Sequence, residues 1–260
     1  MLDVREPSAR VESLRITALS FSDVELTADI AIDNPNAIGV SLSSFSYDVL
    51  VEGNRLVSGR EDTGLSIAAQ ASSNVTLPVV LSYEEIRRVV QASRQQDELA
   101  YAVSIDLSFE LPVLGTVTLP VERDGLLPVV RLPRVAVTSL ALESIGLTGA
   151  ELVLGVQVDN PNGFAFDLSA LDYQLTVQDQ VWVAGEVDRG RTLTPRGTEE
   201  FNLAFSLSFS ALGRAVRDVL LGDDEIRYEF DGAIAVAPEL PLLGPTTIPL
   251  NLSGALPLQR

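Results

Sequence analysis

Cysteine, histidine and lysine are absent from all 260 residues, and every one of the 18 basic side chains is arginine. Without cysteine there is no disulfide, no thiolate nucleophile and no Cys-type zinc site. Without histidine the usual general base, the commonest metal ligand and both familiar nucleophile–histidine arrangements are gone. The serines have neither a histidine nor a lysine to activate one of them. Glycine-rich phosphate loops, Gly-x-Ser-x-Gly and Asp-x-Asp-x-Asp-Gly are missing as well. So are long apolar runs, none of which approaches the roughly 20 residues that span a bilayer. These absences predict a protein that is not an enzyme and carries no cofactor and no metal.

What is present is acid and apolar residues. Asp and Glu number 36, which leaves a formal net charge of −18. Such a surface repels phosphate backbones, so no nucleic-acid partner is expected, and it repels anionic lipid headgroups equally. Hydrophobic residues make up 46 % of the chain, enough for two cores and too many for a disordered polar chain.

The chain repeats itself. Asp33-Asn34-Pro35-Asn36 recurs as Asp159-Asn160-Pro161-Asn162, an offset of 126 residues (159 less 33). The same offset pairs Tyr47 with Tyr173, Gly59 with Gly185 and Asp62 with Asp188. Further on the offset is 129 (240 less 111): Leu111-Pro112-Val113-Leu114-Gly115 matches Leu240-Pro241-Leu242-Leu243-Gly244, Gly125 matches Gly254, and Arg131 falls opposite Arg260. Ordered matches along the whole chain indicate two copies of one unit, near a common domain size. The boundary is expected at the prolines around 128–133, giving domains 1–131 and 132–260.

Within each unit the dominant period is two. Val24, Leu26, Ala28, Ile30 and Ile32 alternate with more polar neighbours, as do Phe45, Tyr47, Val49 and Val51, and again Phe201, Leu203, Phe205 and Leu207. Glu52-Gly53-Asn54-Arg55 and Gln178-Asp179-Gln180 read as hairpin turns. One helix is expected per unit. Ser82 and Glu85 form a capping-box pattern ahead of a Tyr83, Ile86, Val89, Val90 face, with Arg87, Arg88 and Arg94 outside. Phe209, Leu212, Val216, Val219 and Leu220 form the corresponding stripe, with Ser208 or Ser210 as its cap and Gly222 as its stop. Asp97-Glu98 and Asp223-Asp224-Glu225 follow the helices as solvated loop charge. The expected fold is mostly β: two tandem antiparallel β-sandwiches of immunoglobulin or fibronectin type, each with one α-helix.

The repeated motif has a physical reading of its own. Pro35 and Pro161 cannot donate to a ladder, so a strand must end or bend there. Asp33, Asn34 and Asn36, like Asp159, Asn160 and Asn162, can bond back to nearby main chain and hold the bend. The alternative is a carboxylate and amide oxygens meeting a cation or polar ligand, for which one carboxylate per copy is thin.

A strand of alternating apolar residues running into Asn-Pro-Asn, followed by a tyrosine-bearing strand, resembles the late embryogenesis abundant type 2 family, whose domain is also called the water stress and hypersensitive response domain. The resemblance covers both units. It implies a β-sandwich with one helix, a part in desiccation and stress protection, and, for some relatives, a groove for lipid. It carries over no catalytic residue. Bacterial members often look like lipoproteins or periplasmic proteins, and residues 2–7 resemble the start of such a mature chain. A cell-envelope location is therefore expected, with the cytoplasm as the alternative.

Two functions follow as expectations. The first is non-enzymatic protection of client proteins or membranes during drying or freezing. The second is binding of lipid or another apolar ligand, suggested by the runs at residues 78–81 and 111–114.

Overall fold

A computed structural model describes residues 4–91, 95–112, 114–187, 190–222 and 225–259. Arg94, Val113, Asp188, Asp223, Asp224 and Arg260, and the first three residues of the chain, lie outside the described residues. The chain forms two compact units, Met1–Val130 and Arg131–Arg260. Arg131 thus sits with the second unit, one residue from the expected division, because its main chain is bonded to Asn162.

The first unit contains β1 (Ser8–Leu19), β2 (Asp23–Asp33), β3 (Val40–Val51), β4 (Asn54–Ile67), β5 (Ser72–Ser82), α1 (Tyr83–Val89), β6 (Glu98–Leu111) and β7 (Gly115–Pro128). They form two antiparallel sheets, ordered β1-β2-β5 and β4-β3-β6-β7. This is a seven-stranded sandwich whose fourth strand joins the β3 sheet, unlike the immunoglobulin constant arrangement, in which it joins the other. The alternating residues meet between the sheets: Val24, Ile30 and Ile32 of β2 and Val49 and Val51 of β3 are fully buried. Each such side chain contributes roughly 1.5–3 kcal/mol by leaving water.

The second unit repeats the plan with β8 (Arg134–Ile145), β9 (Gly149–Asp159), β10 (Phe166–Val177), β11 (Gln180–Val187), β12 (Arg191–Leu193), β13 (Thr198–Ser208), α2 (Phe209–Leu212), α3 (Arg214–Leu221), β14 (Ile226–Pro238), β15 (Thr246–Leu256) and β16 (Leu258–Gln259). Its sheets run β13-β9-β8-β16 and β11-β10-β14-β15, with β12 also on β10. The long β4 of the first unit corresponds to the two pieces β11 and β12. The expected hairpins are two-residue loops: Glu52 and Gly53 have φ of 47° and 75°, and Gln178 and Asp179 have 50° and 62°. Positive φ at both central residues is the turn whose twist matches a strand pair.

The helices differ from expectation in three places. Ser82 Oγ accepts from the N–H of Glu84 at 3.2 Å, and the described residues show no return bond from Glu85, so only half of the capping box forms. Val89 is 46 % exposed, because α1 stops there and Val90 reaches the core from an extended conformation instead. In the second unit the single stripe is cut in two by Gly213, whose φ of 87° no helix accommodates. Ser208 Oγ bonds Ser210 Oγ at 2.9 Å rather than capping α2, while Gly222 does close α3.

Candidate functional site

The two Asp-Asn-Pro-Asn segments occupy equivalent places at the ends of β2 and β9. Each proline ends its strand, and the chain then crosses toward the other sheet. Asn34 and Asn36 are buried at 3 % and 2 % exposure, Asn160 and Asn162 at 2 % and 0 %. A buried amide must find partners, and these amides find them both within the bend and in segments far away in sequence. Asn34 Nδ2 donates to the carbonyls of Ile38 and Ala68, both at 2.9 Å. Asn34 Oδ1 accepts from the N–H and the Nδ2 of Asn36, at 3.0 and 2.9 Å. Asn36 then clamps the main chain of Arg5 on both sides, accepting from its N–H at 2.7 Å and donating to its carbonyl at 2.8 Å.

The second copy repeats this bond for bond. Asn160 Nδ2 donates to Phe164 O at 2.7 Å and Thr194 O at 3.0 Å. Its Oδ1 accepts from the N–H of Asn162 at 2.9 Å. Asn162 clamps Arg131, accepting from its N–H and donating to its carbonyl, both at 2.8 Å. Main-chain bonds complete the knot: Asn34 and Asn160 donate to Ala71 and Gly197, and Gln70 and Arg196 donate to Asn36 and Asn162. Three segments are joined: the stretch just ahead of the unit's first strand, the bend after the second strand, and the loop before β5 or β13.

The aspartates face outward. Asp33 accepts from Ser72 Oγ and, at 2.7 Å, from Arg10 Nη1. The Ser72 hydroxyl first, and the Arg10 guanidinium after it, hold the Asp33 carboxyl below the usual carboxylate range. Asp159 accepts instead from Thr198 Oγ1 and Gln157 Nε2, both at 2.8 Å. One strand turn back, Asp29 is held low in the same manner by Ser13, Thr76 and Arg15. Among the described residues, no buried side-chain nitrogen or oxygen lacks a partner, and no group of three or more carboxylates is placed to hold a metal ion. What this arrangement does chemically is tie the unit together.

Neither the receiving main chain at Arg5 and Arg131 nor the loops at 67–71 and 193–197 could be found from side-chain patterns, since a backbone carbonyl has no signature in the sequence. A second repeated device was half visible. Tyr47 lies over Gly59 and Tyr173 over Gly185, as direct cross-strand partners, and Tyr101 over Gly125 and Tyr228 over Gly254 do the same. A Cβ built on any of these glycines would meet the tyrosine ring at 2.5–2.8 Å. Each glycine leaves room for a ring on the neighbouring strand.

The apolar runs at 78–81 and 111–114 divide between core and surface. Val79 and Leu81 are buried while Val80 is 58 % exposed, and Leu111 is buried while Leu114 is 49 % exposed. A cavity of about 950 Å³ lies at one end of the second unit against α2, α3 and the β8–β9 turn. Its lining mixes Leu147 and Phe209 with Ser144, Glu151, Arg217 and Asp218. Trp182 is packed inside, at 6 % exposure.

Compared with known proteins, the chain matches the profile of a family described as late embryogenesis abundant protein, over residues 29–125 and again over 155–254. It is 23 % identical over 123 residues to a late embryogenesis abundant protein of Gossypium hirsutum, a stretch covering 47 % of this chain and 82 % of the relative. It is 26 % identical over 126 residues to a desiccation-related protein of Craterostigma plantagineum, covering 48 % of this chain and 82 % of the relative. A protein of Arabidopsis thaliana solved in solution superposes on 50 % of this chain and 85 % of its own, with a TM-score of 0.41 and 22 % identity.

Proposed function

The chain belongs to the late embryogenesis abundant protein family, in two copies, and from that premise we propose that it is a non-enzymatic protectant that stabilises other proteins during drying or freezing. The observation that carries the reading is that both units match the family profile, with the same hydrogen-bonded knot formed in each. The relatives named for desiccation support it. The net charge of −18 supports it too, because mutual repulsion keeps such a protein dissolved as water is withdrawn. The side chains most used for catalysis, histidine, cysteine and lysine, do not occur. Of the residues that suggested an apolar ligand, Val79, Leu81 and Leu111 are spent in the core, and no observation singles out that second reading.

The experiment is a freeze–thaw or drying assay on a labile enzyme. Its residual activity is expected to be higher with this protein than with an equally acidic globular protein at equal mass. Equal residual activity in the two would sink the proposal.

A further inference from the structure

Every open sheet has two edges, each a row of unpaired N–H and C=O groups that can template another strand. Among the described residues the two units have eight such edges, and seven of them are blunted. Pro78 interrupts β5, Pro120 interrupts β7 and Pro249 interrupts β15. β1 and β8 each carry two register shifts, and β16 covers part of β8. β4 has two shifts against β3, and β11 has one against β10.

β13 is the exception. Its residues pair with β9 from Thr198 to Ser208 without a shift, and it contains no proline. Among the described residues, β9 is its only ladder partner. The repeat also says which way its amides point. Ala204 stands opposite Val153, as Pro78 stands opposite Thr27, each 126 residues apart (204 less 78, 153 less 27). Pro78 keeps β5 in register with β2 although it has no N–H to give, so that position's donor faces away from β2. By the same register the amide of Ala204 faces out from the edge.

The charge around this edge chooses the partner. Glu200 and Glu151 are exposed on the outer face. Arg191 pairs with Glu199 at 2.9 Å and lies 5.0 Å above the Phe201 ring, while Arg217, accompanied by Asp218, lines the cavity beside Glu151 and Ser206. Arg191 covers the start of the strand and leaves residues 202–208 as the open stretch. A second copy would bring its own net charge of −18 against these carboxylates. An extended strand with alternating apolar and basic residues meets them with opposite charge.

We propose that the edge of β13 at residues 202–208 is a strand-addition site for an extended basic segment of another protein, of the kind exposed when a client begins to unfold. This rests on the protective reading above.

The test is titration with an alternating arginine–valine peptide of about seven residues, the length of the open stretch, followed by fluorescence anisotropy and by amide NMR shifts. Binding is expected, with the largest shifts in residues 202–208. A proline-interrupted peptide of equal charge is expected to bind about tenfold more weakly or worse, since it cannot form the ladder. Ala204→Pro, which installs the residue found at the equivalent position of the first unit, is expected to abolish binding while leaving the unfolding midpoint nearly unchanged. Glu200→Lys, which leaves the backbone edge intact, is expected to weaken the basic peptide and favour a glutamate–valine one.

Equal binding of the proline-interrupted peptide would mean charge alone and would overturn the site. So would shifts elsewhere in the protein, or a concentration-dependent dimer that Ala204→Pro abolishes without any peptide binding. The peptide assay needs no drying step, so it can fail while the protective reading stands. Ala204→Pro that loses the peptide yet keeps freeze–thaw protection would remove the edge from the protective mechanism.

Discussion

A buried asparagine, unlike an ionised aspartate of the same shape, is neutral and carries an amide that donates. That difference decides what the four motif asparagines do. Asn160 Nδ2 points at the carbonyls of Phe164 and Thr194, which an aspartate oxygen would repel. Asn160→Asp is therefore expected to cost the second unit about 3 kcal/mol or more, read as a shift in its urea unfolding transition. Asn34→Asp should do the same to the first unit; a transition unchanged in both would show that the knot is dispensable. The outward aspartates behave oppositely. Asp29 and Asp33 have folded-state pKa values below the ordinary 3.8, so their ionised forms are favoured by folding. The stability they add is present above that ordinary value and is lost as pH falls through the lower folded values. Position 155, the equivalent of Asp29, is glycine. The double variant Asp29→Asn, Asp33→Asn should accordingly flatten the stability of the first unit below pH ~4, measured by thermal unfolding across a pH series. An unchanged acid slope would count against both assignments.

At the scale of elements, the strands were legible because a period of two with one buried face leaves a direct trace in residue type. The helices were less so. Phe209, Leu212, Val216 and Leu220 keep helical spacing across Gly213, and a lone glycine inside a helix costs only about 1 kcal/mol, so nothing in the pattern marks the break. Likewise, periodicity alone puts Val89 on the buried face of α1, and only the early end of that helix turns it outward. The tyrosine–glycine pairs show how two elements fit. In the first unit the Tyr101 ring fills the space where a Gly125 side chain would stand. Gly125→Ala should destabilise by about 1–3 kcal/mol through overpacking. Combined with Tyr101→Ala, which removes the ring, the extra cost of the alanine should largely vanish. A double-mutant cycle giving a coupling below about 0.5 kcal/mol would rule out the ring as the cause.

The whole molecule is two units, each with its own core and its own knot. Residues 1–130 and 131–260, expressed separately, are each expected to unfold cooperatively and to give well-dispersed amide spectra. A disordered spectrum from either half would show that it needs the other. The sequence by itself determined the duplication, the mostly-β class, the acidic surface and the loss of histidine, cysteine and lysine chemistry, because each of these is written in residue identity and spacing. It also determined that a strand ends at each Asn-Pro-Asn, since a proline nitrogen cannot donate wherever it sits. Only the tertiary structure decided what the asparagines hold, because their partners are main-chain atoms some 31–34 residues away that any residue could supply. It alone decided, too, which of the strands would be edges, and left β13, among the described residues, as a long edge with neither proline nor register shift.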